Sequence, residues 1–252
     1  MADDISTAEL VRHLRKIGLR PSERTTEAIL ERGVEAVPPL MELALDTETL
    51  LGPEPASLGT VHALRLLGEL KPVDAAAPLL RKLPLPTVEQ PEQAVFLWAQ
   101  EAPQIVARFG ADVLPTVLEI LDDLAAPAMQ RGAAAATLGF LATTTPELRA
   151  QIVTELRDHL AHEEDVTVNG YLVATLAQLN AREAYAEIMA AYRAKRVDRA
   201  VISAADARQE LLGTQSQRQL ECALHTLDER YEQHGPYSEE QRRAMAEMMQ
   251  TR

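Results

Sequence analysis

The chain has 252 residues, 46% hydrophobic and 25% charged, with a formal net charge of −13 at pH 7; that mixture supplies a core and excludes a disordered polymer. The acidic balance, with a pI near 5.0, opposes non-specific attraction to nucleic acid or anionic lipid. Cys222 stands alone, which excludes an intrachain disulfide and a cysteine-rich zinc site and points to a reducing, cytoplasmic setting.

The start, Met1-Ala2-Asp3-Asp4, is acidic and unlike a signal peptide, and no apolar run approaches the roughly 20 residues that span a bilayer. Ser6 followed by Glu9 is a capping-box pattern, and Leu10, His13, Leu14 and Ile17 then share one face of a leading helix that stops at Gly18. A second helix is expected over Glu23 to Glu31, ending at Gly33, and a third from about Val34 through Val37, Leu40, Met41 and Leu43. After the connector Leu51-Gly52-Pro53-Glu54-Pro55, the next hairpin places Val61, Leu64 and Leu67 on its first helix and Ala76, Leu79, Leu80 and Leu83 on its second.

Beyond the connector Leu83-Pro84-Leu85-Pro86, Val95, Trp98, Ala102, Ile105 and Phe109 form one stripe on a helix that Pro103 is expected to kink or split. Gly110 ends it, and Val113, Leu114, Val117, Leu118 and Leu121 make the partner helix. A fourth hairpin runs from about Ala126 through Leu141, with Thr145 as N-cap and Pro146 in the first turn of a second helix carrying Leu148, Ile152, Leu156 and Leu160. A fifth carries Leu172, Leu176 and Leu179, then Ala184, Ile188 and Tyr192. Then the rhythm changes: a short helix over Ala204 to Leu212, a longer one with Leu220, Leu224, Leu227 and Tyr231, and after Gly235-Pro236 a last helix capped by Ser238 with Gln241.

A phrase of the form apolar-Pro-x-apolar recurs at Val37-Pro38-Pro39-Leu40, Ala77-Pro78-Leu79-Leu80 and Leu114-Pro115-Thr116-Val117, at intervals of roughly 37 to 40 residues. Ala63-Leu64-Arg65-Leu66-Leu67-Gly68 and Ala135-Ala136-Thr137-Leu138-Gly139 resemble the first-helix phrase of HEAT repeats, and Ala36-Val37-Pro38-Pro39-Leu40 resembles the second-helix phrase of the bacterial short HEAT-like class that includes phycobilisome-type chromophore lyases. The fifth hairpin departs from the pattern at Asn180 and in lacking the proline. The resemblance implies an all-α, right-handed α-solenoid of about five hairpins. Its divisions are a capping helix over 1–20, a repeat array over 21–197 and a helical C-terminal cap over 198–252.

Side chains that could carry chemistry are few. His159 and His162 lie at helical spacing beside Glu163, Glu164 and Asp165 and are weak metal candidates; helix-end electrostatics accounts for each of these residues separately. Cys222 reads as a small core residue, with His225 three positions on. The basic stretch Arg193, Lys195, Arg196 and Arg199 closes a helix, where cations suit the macrodipole. Trp98 reads as core, with a groove contact as its alternative. Tyr171, Tyr185 and Tyr192 are interface candidates, Tyr171 the best of them. Met245, Met248 and Met249 could form an adaptable face for self-association through the C-terminal helices. No cofactor is implied.

In a solenoid of this class the second helices line the concave side. The expected binding residues are therefore Glu42, Asp46, Arg81, Glu119, Asp122, Asp123, Arg157 and Arg193, with Tyr171. Their mixture suits a polar or basic segment of another protein better than nucleic acid or membrane. A HEAT-like enzyme, attaching a chromophore or acting on DNA bases, is the alternative; the latter would need a basic track that the net charge opposes.

Overall fold

The computed structural model describes residues 5–83, 92–213 and 220–250, except for the side chains of Ala246, Met249 and Gln250. Met1–Asp4, the Pro84-Leu85-Pro86 part of one connector and the side chain of Met249 lie outside the described residues. Among the described residues every regular element is helical and none is a strand, so the chain is all-α. None of these helices is long and apolar enough to cross a membrane.

The chain divides into two compact units. Met1–Leu70, Thr87–Gln100 and His225–Arg252 form the first; Lys71–Pro86 and Glu101–Leu224 form the second. The division at 20 and 197 expected from the sequence does not follow these lines. Residues after His225 cluster with the N-terminal ones, because Tyr231 and the Gly235–Tyr237 backbone find polar partners in His62, Arg65 and Gln93.

One local construction recurs five times. A 3-10 turn (Gly33–Ala36, Val73–Ala75, Ala111–Val113, Pro146–Leu148 or Arg182–Ala184) runs directly into an α-helix (Val37–Ala44, Ala76–Arg81, Leu114–Asp122, Arg149–His162 or Tyr185–Arg193). Two residues before each α-helix stands an exposed acid, Glu35, Asp74, Asp112, Glu147 and Glu183 in turn. Unsatisfied N–H groups and the positive end of the helix dipole favour negative charge there. Four of these turns are reached through, or open on, a left-handed residue: Gly33 at φ 55°, Lys71 at φ 53°, Gly110 at φ 95° and Asn180 at φ 53°. Glycine adopts this region without a Cβ clash, asparagine tolerates it, and lysine takes it at a cost. The turn before Tyr185–Arg193 therefore has the same left-handed entry as the three before Val37, Ala76 and Leu114, although its residue is Asn180.

Pro38 and Pro115 sit in the first turn of their helices, where a missing N–H costs nothing. Pro146 behaves differently from the expectation: it opens the 3-10 turn, and Thr145 makes no side-chain cap. The turn displaces the start of the α-helix to Arg149, out of reach of the Thr145 hydroxyl.

In the first unit, helix Thr7–His13 begins with the expected Ser6–Glu9 capping box and tightens into a 3-10 turn at Leu14–Lys16. The inward face is Thr7, Val11 and Leu14, at the four- and three-residue steps of one helical stripe, leaving His13 exposed and Leu10 half-buried. Helix Ala56–Leu70 is enclosed from Ser57 to Gly68, against Leu14–Lys16, Glu23–Leu30, Val37–Ala44, Thr47–Leu50 and Leu227–Gln233. The Val61, Leu64, Leu67 stripe thus belongs to a helix with no solvent side over that span. The same enclosure draws in His62 and Arg65, both 0% exposed. Trp98 is equally buried and donates from Nε1 to the Ala44 carbonyl at 2.9 Å, so it is a core residue. Pro103 does not split its helix, which runs unbroken over Gln93–Ala107.

In the second unit like helices pack on like. First helices Ala128–Thr144, Val166–Gln178 and Ala204–Leu212 succeed one another, and among second helices Ala76–Arg81 packs on Leu114–Asp122 and Arg149–His162 on Tyr185–Arg193. Arg131 and Glu163 form an ion pair with side chains only 5% and 6% exposed; Arg131 Nε also donates to the Leu121 carbonyl and Glu163 accepts from Asp165 N–H. Glu163 is therefore a buried partner of Arg131, whereas Asp165 is the N-cap of Val166–Gln178. The long helix expected through Leu220, Leu224, Leu227 and Tyr231 is interrupted: a 3-10 turn covers Cys222–Leu224, and Thr226 with Glu229 starts a new helix, Leu227–Gln233, by a capping box. That break leaves Leu224 56% exposed.

Candidate functional site

The second helices of the second unit carry most of the residues expected to bind, and the structure joins them in a row of cross-helix pairs. Arg81 Nη1 donates to Asp123 Oδ2 at 2.9 Å, with Glu119 at 3.8 Å from the same guanidinium. His159 Nε2 meets Asp122 Oδ1 at 2.8 Å, and Arg157 bonds Glu187. Each pair links one second helix, or its last residue, to the next. The Arg81 hydrogen bond holds the Asp123 carboxyl below its ordinary value, and Arg157 does the same for Glu187. Arg81, Glu119, Asp122, Asp123 and Arg157 were expected to face a partner; each has an oppositely charged or imidazole neighbour within the chain. Glu119 and Asp122 nevertheless remain 77% and 67% exposed, with oxygens turned to solvent.

The other expected residues are placed differently. Glu42 is exposed on Val37–Ala44. Asp46 lies past the end of that helix, where it N-caps Thr47–Leu50 and bonds Arg15 at 2.7 Å. Burial would raise its carboxyl, but hydrogen bonds from Thr49 and the charge of Arg15 outweigh this and lower it. Arg193 is exposed in the last turn of its helix. Tyr171 belongs to the first-helix layer and not to the second-helix row: it sits in the second turn of Val166–Gln178, its ring against Gly132 and its hydroxyl 3.2 Å from Met129 Sδ. Desolvation raises its phenol. Tyr192 is buried, donates to the Ile202 carbonyl at 2.9 Å, and is pushed up to about 12 by burial.

His159 and His162 each bring Nδ1 to a carbonyl of their own helix, Glu155 and Asp158 respectively. No group of three or more His, Cys, Asp or Glu suited to a metal occurs among the described residues. Arg196 donates to the Leu160 and Glu163 carbonyls at the C-terminus of Arg149–His162, and so caps a neighbouring helix and not the helix Tyr185–Arg193 that the basic stretch closes. Cys222 is half-buried, and the fully buried neighbour is Ala223. His225 turns to His234, with Nδ1 and Nε2 2.8 Å apart.

Sequence reasoning missed a polar cluster in the first unit. His62 Nε2 meets the Gly18 carbonyl at 2.9 Å and Nδ1 meets the Tyr231 hydroxyl at 2.9 Å. A carbonyl only accepts, so in the neutral ring the proton is on Nε2 and Tyr231 donates to Nδ1. The Arg65 guanidinium stacks 4.5 Å from the Tyr231 ring centroid and Arg20 lies at 5.4 Å; Arg65 Nη1 also donates to the Gly235 carbonyl at 2.7 Å. Beside the cluster is a cavity of about 350 Å³, whose lining includes Arg20, Glu23, Glu27, Glu69, Asp228 and Tyr231. Arg20 is bridged to Asp228, which leaves the lining acidic and better suited to ammonium or guanidinium groups than to anions. The available signal was His62 and Arg65, one turn apart in a helix rich in leucine.

No protein-family model, curated protein or solved structure matches the chain.

Proposed function

We propose that the chain is a HEAT-like helical-repeat module, a right-handed solenoid of about five hairpins, that binds another protein through the row of second helices. The observation that carries this reading is the five-fold recurrence of one construction, a 3-10 turn with a central acid leading into a second helix. The like-on-like packing of the second unit supports it, because repeat arrays stack each unit only on its neighbours and present a long surface of equivalent positions. The partner segment is polar or basic: Glu119 and Asp122 offer exposed carboxylates along the row, and the net charge of −13 repels phosphate backbones.

A photo-crosslinking residue placed at Glu119 or Asp158, on second helices, and at Met129, on a first helix, tests this in the native extract. Protein adducts rich in Lys and Arg at positions 119 and 158, but not at 129, are expected. Adducts only from position 129, or nucleic-acid adducts from the second-helix positions, would overturn the assignment.

A further inference from the structure

The bond between His225 and His234 ties together the two ends of one short helix. His225 precedes Thr226, the N-cap of Leu227–Gln233, and His234 is its C-cap. The rings lie with centroids 5.1 Å apart and planes at 58°, and Nδ1 of His225 is 2.8 Å from Nε2 of His234. Two nitrogens at that distance share one hydrogen: one ring donates and the other accepts with its lone pair. The helix so closed carries Tyr231 to His62 and Arg65, and Asp228 to Arg20.

We propose that this imidazole pair is a proton-sensitive latch that holds Leu227–Gln233 in place when neutral or singly protonated and releases it when both rings are protonated. One added proton keeps the bond, as imidazolium to imidazole. A second leaves two N–H groups facing each other with no lone pair between them and two like charges in contact. The second proton is added against the charge of the first, so it enters at a lower pH than the first.

The charged groups around the helix act in both directions. Glu229, whose carboxylate interacts with the charge on His225, favours the first proton. Glu69, from the packed helix Ala56–Leu70, and Asp228 and Glu23 around the cavity favour it as well. Arg65 on that same packed helix, Arg20 and the buried Arg230 oppose the second. His62, bonded to Tyr231, is a further imidazole at the helix, and the test has to separate it from the pair.

Hydrogen exchange of the full chain, read by mass spectrometry on peptides covering 225–238 and corrected for intrinsic rates, is compared at pH 7.5 and pH 5.5. The wild type is expected to lose at least ~10-fold protection at the lower pH, and His234→Gln, whose amide can still bond His225 but takes no proton, to keep its protection unchanged. A pH-dependent loss that persists in His234→Gln would assign it to His62 or the carboxylates and overturn the latch. NMR titration of wild-type imidazoles covers the case in which the variant is unfolded at both pH values. The latch requires His225 and His234 to titrate in two separated steps; two independent titrations near the ordinary value refute it.

Discussion

Gly132→Ala offers a test in which the sign of the effect, and not only its size, is at stake. Gly132 lies inside helix Ala128–Thr144, where alanine is favoured over glycine by about 1 kcal/mol. A Cβ built there comes within 2.6 Å of Tyr171 Cε2 and 2.7 Å of Cγ, closer than real contacts allow. The Tyr171 ring would have to move, at the ~1–3 kcal/mol typical of overpacking. The net expectation is a loss of about 1 kcal/mol in the wild-type background. In a Tyr171→Ala background the obstacle is gone and only the helical preference remains, so the same substitution should stabilise by ~0.5–1 kcal/mol. Urea unfolding of the four proteins, followed by circular dichroism, gives the cycle. If Gly132→Ala moves the midpoint in the same direction in both backgrounds, the packing of the first-helix layer on Tyr171 is wrongly described.

Three further outcomes follow from the structure. Lys71→Gly should raise stability by up to ~1 kcal/mol in the same unfolding assay, because Lys71 holds a left-handed backbone at φ 53° that glycine adopts without the Cβ clash, whereas Lys71→Val should lower it. Arg131→Ala should cost ~3–5 kcal/mol by leaving Glu163 as a buried charge without its ion-pair partner; thermal unfolding within a few degrees of wild type would contradict that. Tyr192 has a phenol raised from 10.0 to about 12 by burial, so its contribution is fully present below pH 10 and is lost as pH rises from there through about 12. Tyr192→Phe should therefore flatten the alkaline limb of the stability profile over that window, and absorbance titration at 295 nm should lose a tyrosine that ionises near 12.

The helical class was legible because apolar residues step by three and four along nearly every segment, and several helix ends because Gly and Pro mark them. The construction before each second helix was half legible. Proline identified three copies, yet the acid two residues before the helix, present in all five, is the steadier mark. It was hidden because a proline stands out in a sequence of this composition and an aspartate or glutamate does not. Lys71 and Asn180 concealed two of the left-handed residues, since neither is the glycine that such a turn suggests. The His62, Arg65 and Tyr231 cluster depends on a contact 169 positions apart, which no local period encodes. Arg131 and Glu163 were separated for the same reason, and Glu163 passed as part of an acidic helix start.

The pairing of the second-helix charges bears directly on how a partner could be held. Had Arg81, Asp122, Asp123, Arg157 and Glu187 been unsatisfied, a partner would gain the full charge of each. As they stand, a cationic side chain approaching the row competes with Arg81, His159 or Arg157 for oxygens already in use. That competition is mild, because ion pairs of this exposure are worth ~0–1 kcal/mol, and Glu119 and Asp122 retain lone pairs facing solvent. Binding here would thus exchange one pair for another at nearly constant charge balance, giving modest affinity and fast, salt-sensitive association. A partner gripped tightly in high salt would have to use something other than this row, and the apolar side chain of Leu124, 80% exposed directly after Asp123, is the first position to substitute.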